Sequence, residues 1–499
     1  MEVKQGSHQP VFGIQVLQAD GVTPRDLTGM TSAVFRMRPA NGTALTITDQ
    51  AMQVVNAKLG QLIYQWQDGN TATPGRYLGE VQCNLPGGPL VVPYEYNRIL
   101  IAQNIVPIVG APVLIASTFV RIVEDFGADP TGVGDSTNAF QSAITYLSGV
   151  GGGTIFCASG TYMANISINN SPSILFLSSG EVAIGPANVA AHTLSITGST
   201  SQCCFVGFWQ FLGASTGTAA SIYINVNFSV SEATYFQDVK INGGYNAVLV
   251  DGEPALYFGR LTIFATRSDA VLITGVQPGF PAGGANNIWI DSLAGFSTGQ
   301  SMLTVHQCTG LYVGQMDLEG AGVGVTLFPT PASAVINGTF LRNSFMNSNA
   351  NGGFVLGGGP GSVISTYITG GGATNCTATG ASGLSINSNV QWTYVTDMLF
   401  FGNPGSGITV NAVTEDLHIT NCSCSNNTQN GITIAAAATD FHITGVTAKS
   451  NTGYGIIVVA VPATYYTIQG CIVRSNTAGD INDGATGTPK RSVTGNVTT

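Results

Sequence analysis

Apolar residues in the last quarter of this chain return on a fixed beat of 24. Gly383-Leu-Ser-Ile, Gly407-Ile-Thr-Val, Gly431-Ile-Thr-Ile and Gly455-Ile-Ile-Val each open a unit. Two further series keep the same step: Tyr394-Val-Thr with His418-Ile-Thr and His442-Ile-Thr, and Asn403 with Asn427 and Asn451. A period in the low twenties, built from short apolar strands with asparagine at the turns, predicts one coil of a solenoid per repeat. Leu384, Ile408, Ile432 and Ile456 should then lie one above another inside it. Upstream the beat persists with insertions, as in Ala247-Val-Leu-Val and Ala270-Val-Leu-Ile, then Met302-Leu-Thr-Val, Val323-Gly-Val-Thr-Leu and Gly353-Phe-Val-Leu. The longest insertion, Gly275 to Asn287, is expected to leave the coil as a loop.

Ahead of the repeats the pattern changes. Phe140, Ala143, Ile144 and Leu147 fall at helical spacing after Asp135, which can cap a helix, and Gly151 to Gly153 stop it. Thr154-Ile-Phe-Cys reads as a strand and Ser159-Gly-Thr-Tyr162 as a turn, so an amphipathic helix is laid across one end of a stack of strands. Earlier still, VFGIQVLQ, TSAVFRMR, QLIYQWQ, RYLGEVQ and NRILIAQ alternate apolar and polar positions between turn signals, with Leu62, Tyr64 and Trp66 on one face. Half-buried antiparallel strands at that spacing predict a β-sandwich. Residues 104–118 contain two prolines and no charge, and read as an extended linker.

Composition narrows the possibilities. Of 499 residues only 8% are charged and 65 are glycine, whereas an average soluble protein is about 25% charged. Stacked strands that present Ser, Thr, Asn and Gly fit this better than a globule does. Net charge is −10, and residues 1–110 are balanced, so the repetitive part carries the excess. No basic stripe is available for phosphate, which excludes nucleic acid as the expected partner. Apolar runs fall short of a membrane span, and the start MEVKQGSHQP has no signal-peptide core, so no membrane insertion and synthesis in a cytoplasm are expected. The nine cysteines are odd in number and match no zinc spacing, and they are read as reduced, half-buried residues with no metal and no cofactor.

The stretch from Asp125 to Tyr162, with its GADPTGVGDST spelling, resembles the opening motif of the pectate-lyase-like superfamily of single-stranded right-handed parallel β-helices. The spelling is similar to the version common in tail proteins of bacterial viruses. DGVTPRDLTG, Gly60-Gln-Leu-Ile-Tyr-Gln-Trp66 and Thr73-Pro-Gly-Arg-Tyr77 resemble the immunoglobulin-like N-terminal domain of phage baseplate upper proteins. A generic carbohydrate-binding or spacer sandwich is the alternative there. These resemblances imply an all-β chain: an immunoglobulin-like β-sandwich over 1–105, a linker over 106–118, a right-handed β-helix with a capping helix over 119–485, and a tail over 486–499. They also imply a homotrimeric tail fibre or tailspike in the virion. Its N-terminal domain would hold phage tail or baseplate proteins, and its β-helix would bind host cell-surface polysaccharide. A polysaccharide depolymerase, hydrolase or lyase, is the alternative, because the superfamily includes both.

Hydrolysis of a glycan needs carboxyl groups facing one groove. Asp317 and Glu319 are the leading pair because residues two apart on a strand point to one side, and Asp291 lies near the preceding coil. Isolated acids at turns are the competing explanation. Trp289, Tyr312 and Trp392 are the candidates for stacking on sugar rings. Asp251 and Glu253 form a further pair in an expected turn. Asp238 and Arg260 occupy comparable places in adjacent coils and are read as an ion pair, and His418 with His442 as stacked surface residues rather than metal ligands.

Overall fold

The computed structural model describes residues 118–498 except 201, 227–233, 254, 276–284, 297–298, 413, 436–437, 460–464 and 487–490. Before them it describes 2–4, 12–16, 25–39, 45–58, 61–64, 67, 75–86, 88–92 and 98–102. The chain divides into two compact units, Met1–Ile108 and Val109–Thr499. Most of the expected linker, and most of the insertion after Gly275, lie outside the described residues, as does Trp66.

In the first unit two sheets share one apolar core. Phe35 and Met37 of Ser32–Pro39 alternate inward, and Phe35 meets Tyr64 of the other sheet at a ring-centroid distance of 4.8 Å. Arg36 points the opposite way and pairs with Asp49 and Glu80. Each of the five expected segments contains a strand. Ile47–Ala51 and Gln53–Asn56 are strands that the alternation did not reveal.

The second unit is a right-handed parallel β-solenoid. One sheet of 13 short strands faces a longer sheet whose strands bend at mid-length. Leu384, Ile408, Ile432 and Ile456 are in register and fully buried, as the beat of 24 required. The column continues upstream through Ile222, Val248, Val271, Leu303, Val325 and Phe354. Inside the longer sheet Phe176, Phe205, Phe236 and Phe258 stack at 4.5, 4.9 and 4.8 Å. Those spacings equal the distance of about 4.8 Å between neighbouring strands, so one hydrogen-bonded ladder sets both backbone and ring contacts.

Turns are ladders too. Gly402, Asn426, Ser450 and Ser475 all adopt left-handed backbone conformations. Each is followed by a buried or half-buried asparagine: Asn403, Asn427, Asn451, Asn476. Asn427 Oδ1 accepts both the backbone N–H and the amide of Asn403, and Asn451 Oδ1 does the same for Asn427. The side chains thus satisfy the amide groups that the turn removes from the sheet.

Thr137–Gly149 is the capping helix, with Phe140, Ala143, Ile144 and Leu147 buried in the solenoid core. Its N-cap is Ser136, and Asp135 Oδ1 accepts the N–H of Thr137. The rest of the opening motif is also structural. Gly127 ends the short helix Ile122–Phe126 at φ 72°, and Asp129 accepts Thr131 N–H, Thr131 hydroxyl and Gly134 N–H. Those bonds hold its carboxyl down at about 2. Two expectations need correction. Gly160–Met163 is a strand paired in parallel with the next coil, where a turn was expected, because Tyr162 is drawn into the core. Arg491–Thr494 and Val497–Thr498 extend the longer sheet, so regular structure runs past residue 485. None of the nine cysteines is in a disulfide and all are buried, deeper than expected, and burial pushes up the thiols of Cys203 and Cys424, and that of Cys308 to about 12.

Candidate functional site

Parallel in-register strands place equivalent residues of successive coils in straight columns. One outward column of the longer sheet is aromatic over nine coils: Tyr235, Tyr257, Trp289, Tyr312, Phe340, Tyr367, Tyr394, His418, His442. Ring centroids are 5.0 Å apart for Tyr235 and Tyr257, 4.8 Å for Phe340 and Tyr367, 4.9 Å for Tyr367 and Tyr394, and 4.9 Å for Tyr394 and His418. Rings stacked this way cover each other's faces and show only their edges to solvent.

The column breaks at Trp289. Its indole leans onto Tyr312, with centroids 3.8 Å apart, less than the strand spacing of about 4.8 Å. Tyr257 meanwhile stays stacked on Tyr235. The half-buried indole is thereby drawn away from Tyr257, and among the described residues no ring contact joins the two, which leaves a gap in the stack. Asp291 stands at that gap. The Tyr257 hydroxyl and the Trp289 indole N–H both donate to its carboxylate. Burial, and then the bond to Asp291, push the Tyr257 phenol up, so it remains a donor. An exposed carboxylate with an indole face beside it can take sugar hydroxyls on one side and a C–H face on the other.

Of the sequence candidates, Trp289, Tyr312 and Asp291 come together. Asp317 and Glu319 do share one exposed side, but on the other half of their strand, beyond the bend, where Asp317 lies in register with Ala294 and Phe345 and Glu319 with Phe296 and Asn347. Asn347 donates to Glu319 at 3.2 Å. Trp392 lies four coils from Trp289, in the corner column beside the aromatic one. There it takes φ 53° with 46% of its surface exposed. Other coils put Asn287, Gly310, Gly338, Ser365, Asp416 and Asp440 in that left-handed position, so a tryptophan is the outlier. Next to it Asp416 accepts the Tyr394 hydroxyl at 3.1 Å and contacts His418 Nε2 at 2.7 Å.

Asp251 and Glu253 do not form a pair. Asp251 is at a strand end, bonded by Tyr223 and Thr274, while Glu253 turns inward and is fully buried. Thr234 and the Ala255 N–H donate to Glu253, but burial dominates and pushes its carboxyl up to about 8. Asp238 and Arg260 form the expected ion pair, with Nε donating to Oδ1 at 3.0 Å. His418 and His442 are neighbours in the column as expected, but their rings are tilted by 34° rather than parallel, with centroids 4.8 Å apart. Among the described residues no three His, Cys, Asp or Glu side chains are grouped as metal ligands, and no helix is long and apolar enough to cross a membrane. Tyr257, Arg342 and Asp416 were missed. Tyr394, His418 and His442 belong to the same column, but upstream its steps are 22, 32, 23, 28, 27 and 27 residues, so the 24-residue key fails.

The family described as rhamnogalacturonase A/epimerase, pectate lyase-like, matches residues 120–191, the capping helix and first coils. That match covers the opening of the β-helix. Solved structures similar to the chain include the catalytic unit of a GH87 α-1,3-glucanase from Streptomyces thermodiastaticus, at 13% identity over 98% of this chain and 88% of that one, with a TM-score of 0.43. A tailspike mutant of E. coli bacteriophage HK620, in complex with a hexasaccharide, aligns at 12% identity over 73% and 77%, with a TM-score of 0.44. PfbA, a surface adhesin of Streptococcus pneumoniae, aligns at 9% over 77% and 93%, with a TM-score of 0.30. At these identities the pectate-lyase-like likeness concerns fold. No curated protein matches the sequence.

Proposed function

We propose that this protein is a phage tail fibre or tailspike that binds host-surface glycan along the aromatic column of its β-helix. The observation that carries the binding reading is the break in that column: a half-buried Trp289 that leans away from Tyr257 onto Tyr312, beside the exposed Asp291 carboxylate. Residues 1–105 would serve as an immunoglobulin-like module attaching the chain to tail or baseplate proteins, 106–118 as the linker, and the functional unit would be a homotrimer in the virion. These parts rest on the sequence resemblance. Binding ranks above cleavage because Asp291 is tied by two donors and stands apart from Asp317 and Glu319, across the bend of the strand, so no two of the three candidate acids flank a sugar at the indole.

Titration calorimetry of the full chain with fragments of host surface polysaccharide tests this. Trp289→Ala should weaken binding about tenfold or more, roughly 1.4 kcal/mol, with an unchanged thermal midpoint, because Trp289 lies outside the core. Equal binding by the variant would overturn the site assignment. New reducing ends or unsaturated products, lost in Asp317→Asn or Glu319→Gln, would put cleavage first. Sedimentation mass and binding to tail particles lacking the protein test the trimer and the attachment role.

A further inference from the structure

Beside the aromatic column runs a second outward column, Asp291, Gly314, Arg342, Thr369, Thr396, Thr420 and Thr444. Asp291 and Arg342 are its only charged members. They stand two coils apart, about 10 Å at the spacing of a parallel sheet. Among the described residues no ion pair joins them, and the position between them carries no side chain. A Cβ on Gly314 would lie 2.7 Å from the Asp291 carbonyl oxygen, so only glycine fits there. The result is a notch with a carboxylate at one end, a guanidinium at the other and the stacked Trp289 and Tyr312 rings along one side.

Arg342 is held in this notch without a counter-charge. Its guanidinium carbon lies 5.4 Å from the Tyr312 ring centroid, an arrangement that orients the planar fork without neutralising it. Among the described residues no carboxylate reaches it. By contrast Arg121, Arg260 and Arg491 are paired with Asp125, Asp238 and Asp483, and Arg267 is bonded to the carbonyls of Ala214 and Gly217. In a unit with an excess of negative charge, an exposed arginine would be expected to find an acid. This one instead faces a gap beside the rings.

We infer that Arg342 is a specificity-determining residue that takes the carboxylate of an acidic sugar lying at the Gly314 notch across the edges of the Trp289 and Tyr312 rings. This rests on the glycan-binding reading and adds the chemistry of one subsite. A fork that can bond a carboxylate through two parallel N–H groups suits a planar carboxylate better than a point charge does. An exposed cation without an acid partner, in a column that after it offers only threonines, fits a polymer in which acidic sugars are interspersed among neutral ones. A dense polyanion would meet the surrounding acids.

The test uses the full chain and a panel of oligosaccharides containing hexuronic or sialic acids, each paired with its carboxyl-reduced neutral form and with a sulfated neutral analogue. For at least one pair the wild type should prefer the acidic member about tenfold or more, with the preference falling as salt rises. Arg342→Gln should abolish that preference, with affinity for the acidic member falling about tenfold further than affinity for the neutral one, and Arg342→Lys should restore only part of it. Trp289→Ala should weaken both members. Equal affinity of the wild type for acidic and reduced members, an unchanged preference in Arg342→Gln, or stronger binding of the sulfated analogue would each overturn the assignment. Binding of neutral members alone, lost in Trp289→Ala, would remove this inference and leave the glycan-binding reading standing. Failure of the whole panel to bind defeats both.

Discussion

The coils from 383 to 481 and the coils from 234 to 347 share one inward architecture but differ in what they leave unfinished. The later coils keep a step close to 24, and their buried amides close on one another: Asn403, Asn427, Asn451 and Asn476 form an unbroken chain of donors and acceptors. In the earlier coils the step wanders. Asn349 occupies the corresponding turn, yet its Nδ2 is buried with no partner among the described residues. A fully buried carboxyl, Glu253, stands in the same region, and the outward ring column breaks there. In the regular repeats the buried amides satisfy one another, while the departures from the repeat hold an orphan amide, a buried carboxyl and a broken ring stack.

The sharpest way to break this contrast is to remove one amide from each region. Asn427→Ala strands the two Asn403 donors and the Phe400 carbonyl, and leaves Asn451 Oδ1 with only the backbone N–H of residue 427. At about 1–3 kcal/mol for each buried group left unsatisfied, with some relief from water, the loss should reach about 3–5 kcal/mol. Asn349→Ala gives up one bond to the Ala321 N–H and also removes an orphan donor, so it should cost about 1 kcal/mol. Denaturant midpoints of the two variants measure the difference. Equal losses would show that the ladder is no more complete in one region than in the other.

The same contrast explains what could be read in advance. A column is visible in sequence only when its members recur at constant spacing, which is why Leu384 to Ile456 and Tyr394 to His442 were legible and Tyr257 and Arg342 were not. Insertions leave the strand register intact while destroying the numerical step. Asp317 and Glu319 were correctly placed on one side of a strand, but the bend at Gly314 and Gln315, which separates them from Trp289, leaves no mark in apolar periodicity. The opening motif was legible because its residues are bound by local geometry, with Asp129 accepting from Thr131 and Gly134 and Gly127 in the left-handed region. Tyr162 was misread because glycine and serine before it look like a turn, whereas its burial depends on coils more distant in sequence.

A second test uses the buried carboxyl of the irregular region. Because burial raises Glu253 to about 8 from the ordinary carboxyl value of about 4.5, the folded state holds its proton more tightly than the unfolded chain does. Its contribution is fully present below about pH 4.5 and is lost as pH rises through 8. The slope is about 1.4 kcal/mol per unit, or roughly 2–3 kcal/mol between pH 6 and 8. Glu253→Gln keeps a partner for Thr234 and Ala255 and should flatten that part of the stability profile, becoming more stable than the wild type at pH 8.5. Parallel pH profiles of the two proteins would show this idea to be wrong.

The smallest expected effect comes from the place where the regular region breaks its own rule. Trp392 is the bulky residue in a corner column otherwise filled by Asn, Gly, Ser and Asp, and its left-handed backbone carries a strain on the order of 1–3 kcal/mol. Asparagine adopts that conformation readily and glycine without penalty. Since almost half of the indole surface is open to solvent, little packing is lost when it is removed. Trp392→Asn should therefore raise stability by about 1 kcal/mol. If the indole is kept for binding, the same variant should weaken the longest polysaccharide fragments, which can span the four coils from Trp289 to Trp392, while leaving short fragments at Trp289 unaffected. Measuring melting temperature together with affinity against fragment length separates the outcomes. A destabilised variant would mean that the strain is offset by packing, and unchanged affinity at every length would leave Trp392 with no part in the binding face.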